Sequence, residues 1–129
     1  MNTNTIAKEI LEKIQYATVA TCGIDGEPWN SPVYFAFDDA QNIYWSSHPD
    51  SVHSQNIAEN GKAFIAIYNS KAGEGEGVGL YIQSSVEVLI DAAEVSSALK
   101  LLGDRRGRPF LHQEKFIQDG PQRIYKATP

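Results

Sequence analysis

Cysteine and positive charge are both scarce in this chain of 129 residues. Cys22 is the single cysteine, so the chain has neither a disulfide framework nor a thiolate metal site. Eleven lysines and arginines stand against 16 aspartates and glutamates, which gives a formal net charge of -5. Proteins that bind nucleic acid usually gather basic residues on one face. The composition therefore excludes the disulfide-rich class and predicts no nucleic-acid partner.

Long hydrophobic runs are also missing. No apolar segment approaches the roughly 20 residues that span a bilayer, and the first residues lack the pattern of a signal peptide. With one unpaired cysteine, the default location is a reducing cytoplasm, and no membrane partner is expected. Hydrophobic residues make up 42% of the chain and charged residues 21%, as in ordinary globular proteins. A chain of this length is expected to form one domain over residues 1–129.

The hydrophobic pattern predicts a mainly β protein. Pro32 cannot donate to a ladder, so the strand that contains it should be bulged or lie at an edge there. The strand at 62–70 is apolar on both sides and is expected to be buried on both faces. Hairpin turns favour antiparallel pairing, and a sheet of several twisted strands tends to close. We predict a small antiparallel barrel with strands at 16–22, 29–37, 43–47, 62–70, 80–90 and 122–129.

Three peripheral helices are predicted around these strands. Residues 4–15 place apolar side chains on one helical stripe. A second helix is expected at 51–60, with Asp50 as its N-cap and a stop at Asn60 and Gly61. A third helix is expected to begin with a capping box at Asp91 and Glu94 and to end at Gly103 and Gly107. Its core face is predicted to consist of Val95, Ala98, Leu99 and Leu102.

A polar run separates the strand at 43–47 from the helix at 51–60. The N-terminus of a helix attracts anions through its free N–H groups and its dipole. Ser46, Ser47 and Ser51 could add hydroxyl donors, and His53 a ring donor or, when protonated, a charge. The alternative is an ordinary strand-to-helix turn, where serine and aspartate serve as local caps. The residues alone leave both interpretations open.

The order of these segments resembles the pyridoxamine 5'-phosphate oxidase-like family, the FMN-binding split barrels. The likeness rests on "ATVATC" before an Asp25-Gly26 turn, on "SPV", on "YWSS", on the helix "SVHSQNIAEN" and on the strand "KAFIAI". It covers about residues 5–90, and 122–129 resembles a late strand of the family. The implied fold is an antiparallel split β-barrel of the FMN-binding type. The implied function is that of an FMN-dependent oxidoreductase, of unknown substrate, working as a homodimer with the cofactor at the subunit interface.

The resemblance also implies a set of residues that border the cofactor. No catalytic acid or base is among them, because the hydride chemistry belongs to the flavin. The phosphate-clamping Arg-Lys pair of the family falls on Val52 and His53. Without hydrogen bonds from those two charged side chains, the binding free energy of the phosphate could be weaker by about 1.5–3 kcal/mol for each bond lost. The implied cofactor-binding positions are Asn30, Ser31, Pro32, Val33, Ser46, Ser47, Ser51, His53 and Gln55.

Other functions stay open at this stage. The same barrel could be a non-catalytic flavin- or heme-binding module, or a reductase that uses a deazaflavin. The basic cluster of Arg105, Arg106 and Arg108 could either close a helix or capture an anion of the cofactor or the substrate. The three histidines are unevenly spaced and have no carboxylates at ligand spacing, so no metal site is expected.

Overall fold

The computed structural model describes residues 3–129 and forms one closed antiparallel barrel. Its strands are β1 (Tyr16–Cys22), β2 (Pro28–Phe37), β3 (Ile43–Ser47), β4 (Lys62–Tyr68), β5 (Gly79–Val88) and β6 (Arg123–Thr128). Their order around the barrel is β1-β2-β3-β6-β5-β4, and β4 closes the ring by pairing with β1. The prediction of an antiparallel barrel of the split-barrel type is confirmed.

Three α-helices flank the barrel: α1 (Thr3–Lys13), α2 (Val52–Asn60) and α3 (Ala92–Arg106). A short 3₁₀ helix at Gln113–Phe116 follows α3 and was not predicted. As predicted, α2 ends at Gly61, whose φ of 67° is the left-handed conformation that glycine adopts easily. The predicted N-cap of α2 at Asp50 is wrong. Ser51 is the cap, because it holds the extended conformation that directly precedes the helical residues.

The third helix begins as predicted and ends later than Gly103. The side chain of Asp91 accepts a hydrogen bond of 3.1 Å from the backbone N–H of Glu94, as an N-cap does. Gly103 lies inside α3, and the helix ends at Gly107, whose φ is 76°. The chain folds back over Gly103, so that a Cβ there would lie 3.1 Å from the carbonyl oxygen of Arg108. Close packing therefore explains this glycine.

Side chains from alternate strand positions fill the barrel. β1 contributes Ala17 and Val19, while β3 contributes Trp45, which is fully buried and stacks on Tyr125 with ring centroids 5.9 Å apart. A second apolar cluster lies outside the barrel, between α3 and the outer face of β2, β3 and β6. All four residues predicted for the core face of α3 are buried there: Val95, Ala98, Leu99 and Leu102.

The outer face of β4 is exposed, so the prediction that this strand is buried on both faces is wrong. Ala63, Ile65 and Ile67 point into the barrel. Phe64 and Tyr68 point outward and are 45% and 52% exposed. Apolar residues on both sides of a strand are typical of a doubly covered strand. Here the chain itself covers only one side.

Pro32 lies at an edge, as predicted. β2 pairs with β1 from Pro28 to Tyr34, where Pro32 lies opposite Thr18. It pairs with β3 only over its last three residues, 35–37. The first part of β2 therefore has one neighbour, and a residue without an N–H donor is tolerated on the open side.

Candidate functional site

The predicted site residues divide between two faces of the barrel. Successive side chains of a strand point to opposite faces, and this separates Ser46 from Ser47 at the end of β3. The hydroxyl of Ser46 lies 3.4 Å from Oε1 of Gln122 and lines a cavity on the outer face. The hydroxyl of Ser47 lies 2.8 Å from Nε2 of His53. The two serines therefore do not form one cradle.

A closed hydrogen-bond cluster occupies the start of α2. His53 is only 8% exposed, and its Nε2 lies 3.5 Å from the hydroxyl of Ser51 in addition to its contact with Ser47. The Ser51 hydroxyl lies 2.7 Å from that of Ser54 and 2.8 Å from the carbonyl oxygen of His48. Burial lowers the pKa of His53, so its ring is neutral at neutral pH. The cluster offers hydroxyl and ring donors but no cation.

The remaining predicted site residues differ in how far their side chains are exposed to solvent. Asn30, Pro32 and Gln55 are exposed. The hydroxyl of Ser31 accepts a 3.0 Å hydrogen bond from the indole N–H of Trp29. Val33 is 6% exposed and belongs to the barrel core, so its side chain is not available to a ligand.

An outer cavity of about 320 Å³, here called the arginine cavity, lies beside Ser46. The basic cluster at the end of α3 reaches this cavity because the chain folds back after Gly107. The cavity combines two charged side chains with aromatic rings and hydroxyl groups, a mixture suited to an anionic ligand that contains a ring. Its lining consists of Tyr16, Tyr34, Ser46, Leu102, Arg106, Arg108 and Phe110.

The arginines of the arginine cavity form no ion pair within residues 3–129. The ion pairs of this part of the chain join His48, Lys100 and His112 to nearby carboxylates, and none includes an arginine. The guanidinium carbon of Arg106 lies 3.5 Å from the centroid of the Phe110 ring. Its Nε donates to the carbonyl oxygen of Arg108 at 2.8 Å. Arg106 is therefore held in place while still carrying an unpaired charge.

Arg105 has a different environment, although it is next in sequence. Its guanidinium carbon lies 4.7 and 5.5 Å from the ring centroids of Phe35 and Phe37, and it donates to the carbonyl oxygen of Ile14. It thereby joins α3 to the end of α1. Arg105 is thus engaged in packing, and the sequence could not separate its role from that of Arg106.

Exposed aromatic residues cover the outer surface of β1, β4 and β5. Register places Thr18 of β1, Ala66 of β4 and Tyr81 of β5 side by side on this surface. Contiguous exposed apolar surface usually marks an interaction site. We call this surface the aromatic face; its large residues are Tyr16, Phe64, Tyr68 and Tyr81, with 59%, 45%, 52% and 67% exposure.

The aromatic face continues into the arginine cavity. Tyr16 belongs to both, and its ring meets that of Tyr34 edge-on with centroids 5.5 Å apart. A groove of about 500 Å³ runs from Tyr16 past Pro32 to Tyr68. A molecule bound in the arginine cavity would therefore border whatever covers the aromatic face.

Within residues 3–129, no three or more histidine, cysteine, aspartate or glutamate side chains are arranged to hold a metal ion. None of the helices in this range is both long and apolar enough to cross a membrane.

The match to a protein family agrees with this geometry. The family model described as pyridoxamine 5'-phosphate oxidase matches residues 5–129. The chain belongs to this family, as its resemblance predicted. Among curated proteins, no sequence matches it.

Solved structures show the same fold. An FAD-binding protein from Mesorhizobium loti has a TM-score of 0.70 and 19% identity, over 98% of this chain and 88% of that one. An F420 reductase has a TM-score of 0.67 and 19% identity, over 95% and 91%. The heme storage protein HutZ from Vibrio cholerae has a TM-score of 0.70 and 13% identity, over 100% and 91%. At such identities the likeness concerns the fold alone.

Proposed function

We propose that the protein is a flavin-dependent oxidoreductase of the pyridoxamine 5'-phosphate oxidase-like type. FMN is the flavin that the sequence resemblance implies. The observation that carries the proposal is the arginine cavity, where tyrosine rings, a serine hydroxyl and two unpaired arginines meet beside the aromatic face. The flavin, when bound, would supply the hydride or electron transfer.

The chain's own residues would bind and orient the flavin ring. Tyr16 and Tyr34 offer aromatic surface for stacking, and their edge-on contact holds both rings in place. The Ser46 hydroxyl can donate to, or accept from, a polar edge of the ring. Because the hydride chemistry belongs to the flavin, we assign these groups binding and no acid-base role.

The two arginines indicate the class of substrate. Arg106 and Arg108 line the cavity without a carboxylate partner, and a guanidinium binds carboxylate or phosphate groups well. Phe110 and two backbone carbonyls fix Arg106, so less side-chain freedom is lost on binding. We propose that the substrate is a small anion.

The aromatic face supports the proposal of a homodimer. A second copy that covers Phe64, Tyr68 and Tyr81 would remove three exposed rings from water. It would also form a second wall beside the arginine cavity, since Tyr16 belongs to both surfaces. The cofactor would then lie at the subunit interface, as the sequence resemblance implies. The cytoplasmic location stays a prediction.

Reconstitution tests the proposed function. The protein is incubated in turn with excess FMN, F420 and hemin, passed through a gel-filtration column, and examined by its absorption spectrum. We expect the flavin bands to elute with the protein. Tyr34→Ala should weaken flavin binding by up to about tenfold through loss of stacking, whereas Lys115→Gln, at an exposed position on the short 3₁₀ helix, should leave it unchanged.

Retention of hemin or F420 in place of FMN would contradict the proposed function. A Soret band with hemin and no retained flavin would support the heme-binding module instead. Retention of F420 alone would support the deazaflavin-dependent reductase. A protein that elutes colourless in all three cases would contradict every cofactor proposal.

A further inference from the structure

Arg106 lines the arginine cavity with one edge of its guanidinium already occupied. Its Nε donates to the carbonyl oxygen of Arg108 at 2.8 Å, and its Nη2 donates to that of Pro109 at 3.2 Å. The Phe110 ring covers one face of the guanidinium, with its centroid 3.5 Å from the central carbon. Two of the five N–H donors of this arginine are therefore used to hold the side chain in place.

The remaining edge of the Arg106 guanidinium can meet a ligand. It carries one N–H of Nη1 and one N–H of Nη2, which are parallel and lie in one plane. A carboxylate accepts such a pair through both of its oxygens at once. Because the other edge and one face are held by the chain, little side-chain freedom is lost when a ligand binds.

Arg108 is less able to impose a geometry on a ligand. It is exposed, whereas Arg106 is partly buried. An exposed arginine loses more side-chain freedom when a ligand holds it. Arg108 would therefore contribute its positive charge to the cavity, while the direction of binding would come from Arg106.

The polarity of α3 limits the charge that the cavity can accept. The two arginines lie at the C-terminal end of this helix, where the dipole is negative. Phosphate sites are usually built from helix N-termini and free backbone N–H groups. Here the N–H of Arg108 donates to the carbonyl oxygen of Gly103 at 3.0 Å, and that of Gly107 also donates back into the helix. A dianion such as a phosphate ester is therefore less favoured than a group with a single negative charge.

We infer that the substrate is a carboxylate attached to a flat ring, and that Arg106 is the residue that selects it. This inference rests on the proposed function and narrows the small anion proposed there. The free edge of Arg106 binds the carboxylate through two parallel hydrogen bonds, and the aromatic lining of the cavity receives the ring next to the flavin. Arg108 adds charge, and a phosphate ester binds less well.

Nuclear magnetic resonance titrations of the FMN-loaded, full-length protein at about pH 8 test the inference. The probes are benzoate, its uncharged analogue benzamide, and phenyl phosphate, which is a dianion at that pH. We expect benzoate to bind about tenfold or more tightly than benzamide, because the amide lacks the charge and the second acceptor oxygen. We expect it to bind about threefold or more tightly than phenyl phosphate, because the end of α3 disfavours a second negative charge.

Two matched variants distinguish the roles of the arginines. Arg106→Lys keeps the charge but replaces the pair of parallel donors with a single ammonium group, so it should weaken benzoate binding by about tenfold. Arg108→Lys makes the same change at the exposed position and should weaken binding by less than about threefold, because lysine still supplies the charge. Circular dichroism establishes that both variants are folded. The comparison of the three probes uses the wild type, so it tests the inference even where Arg106→Lys disturbs the fold.

Three results would overturn the inference while retained FMN leaves the proposed function standing. Phenyl phosphate that binds as tightly as benzoate would show that the cavity accepts a dianion. Benzoate that fails to bind, or binds no more tightly than benzamide, would show that no carboxylate is recognised. Equal losses in Arg106→Lys and Arg108→Lys would show that the free edge of Arg106 does not select the ligand. Failure of the protein to retain FMN contradicts the proposed function itself.

Discussion

At the scale of single residues, His53 determines much of what the start of α2 can do. Its ring is buried against two serine hydroxyls, and burial opposes its protonation. A histidine in this state acts as a neutral hydrogen-bonding group. The residue type alone allowed a charged phosphate ligand as well as this structural role, and the surrounding packing favours the second.

The same burial makes stability depend on pH. The folded-state pKa of His53 lies below its ordinary value of 6.5, so the unfolded chain binds a proton that the folded protein does not. Stability therefore falls as the pH drops below about 6.5, and this contribution stops changing below the folded-state pKa. We expect the melting temperature to fall between about pH 7.5 and pH 5.5, with a shallower fall in His53→Gln.

His48→Gln is the control for that measurement. The side chain of His48 is 52% exposed, whereas His53 is buried. Its replacement should leave the pH dependence as in the wild type. If His53→Gln and the wild type show the same slope, burial of His53 is not its source.

At the scale of elements, the β2–β3 hairpin depends on one carboxylate. Asp38 accepts from the backbone N–H groups of Ala40 and Asn42 at 3.0 and 2.9 Å, and from the Tyr44 hydroxyl at 2.8 Å. Burial favours the protonated form of Asp38, but these hydrogen bonds together outweigh it and lower its pKa. Burial and the nearby Asp38 raise the pKa of Tyr44 to about 12.

Tyr44→Phe should cost about 1–2 kcal/mol of unfolding free energy at neutral pH. The hydrogen bond to a carboxylate is lost, whereas the buried ring is kept. Because the folded pKa of Asp38 is lowered, its contribution is present above its ordinary value of 3.8 and is lost as the pH falls through the folded value. Urea unfolding measures both effects, and the difference between variant and wild type should shrink in acid.

Asp39→Asn gives the comparison, since Asp39 is exposed in the same turn as Asp38. It should change the unfolding free energy by less than about 0.5 kcal/mol. A Tyr44→Phe effect as small as that of Asp39→Asn would show that the bond from Tyr44 to Asp38 does not stabilise the hairpin.

The elements were predictable where local rules determine them. The strands from Tyr16 to Cys22 and from Ile43 to Ser47, and the stop of α2 at Gly61, follow from residue pattern and turn chemistry. Gly103 was misjudged because its close contact is with Arg108, in the segment that folds back over the helix just after its end, and residue pattern does not show that fold-back. The exposed side of β4 was misjudged because residue pattern does not distinguish cover by the same chain from cover by another.

The sequence predicted less of the candidate site than of the fold. The resemblance selected Ser46 and Ser47 as a pair, but alternation along β3 separates their hydroxyls. Arg106, Arg108 and the two tyrosines come together only through the fold-back after α3 and the pairing of β1 with β2. Such contacts between distant segments leave no spacing that the sequence could reveal.

At the scale of the whole molecule, the aromatic face should hold two copies together. Phe64→Glu places one unpaired charge on this face in each subunit, which costs several kcal/mol when buried. We expect the dimer to dissociate at concentrations where the wild type is dimeric, as measured by light scattering after gel filtration. Ile90→Glu, at an apolar position that is 80% exposed outside this face, should not affect the dimer. Equal dissociation in both variants would contradict this role of the face.

The proposed function requires one arrangement, a flavin in the arginine cavity of a dimer. Sedimentation velocity with added FMN, followed through the absorbance of the flavin, tests it most directly. We predict that the flavin sediments with a species of twice the subunit mass, at two flavins per dimer. Flavin that sediments with a monomer, or that stays free at saturating protein, would contradict it.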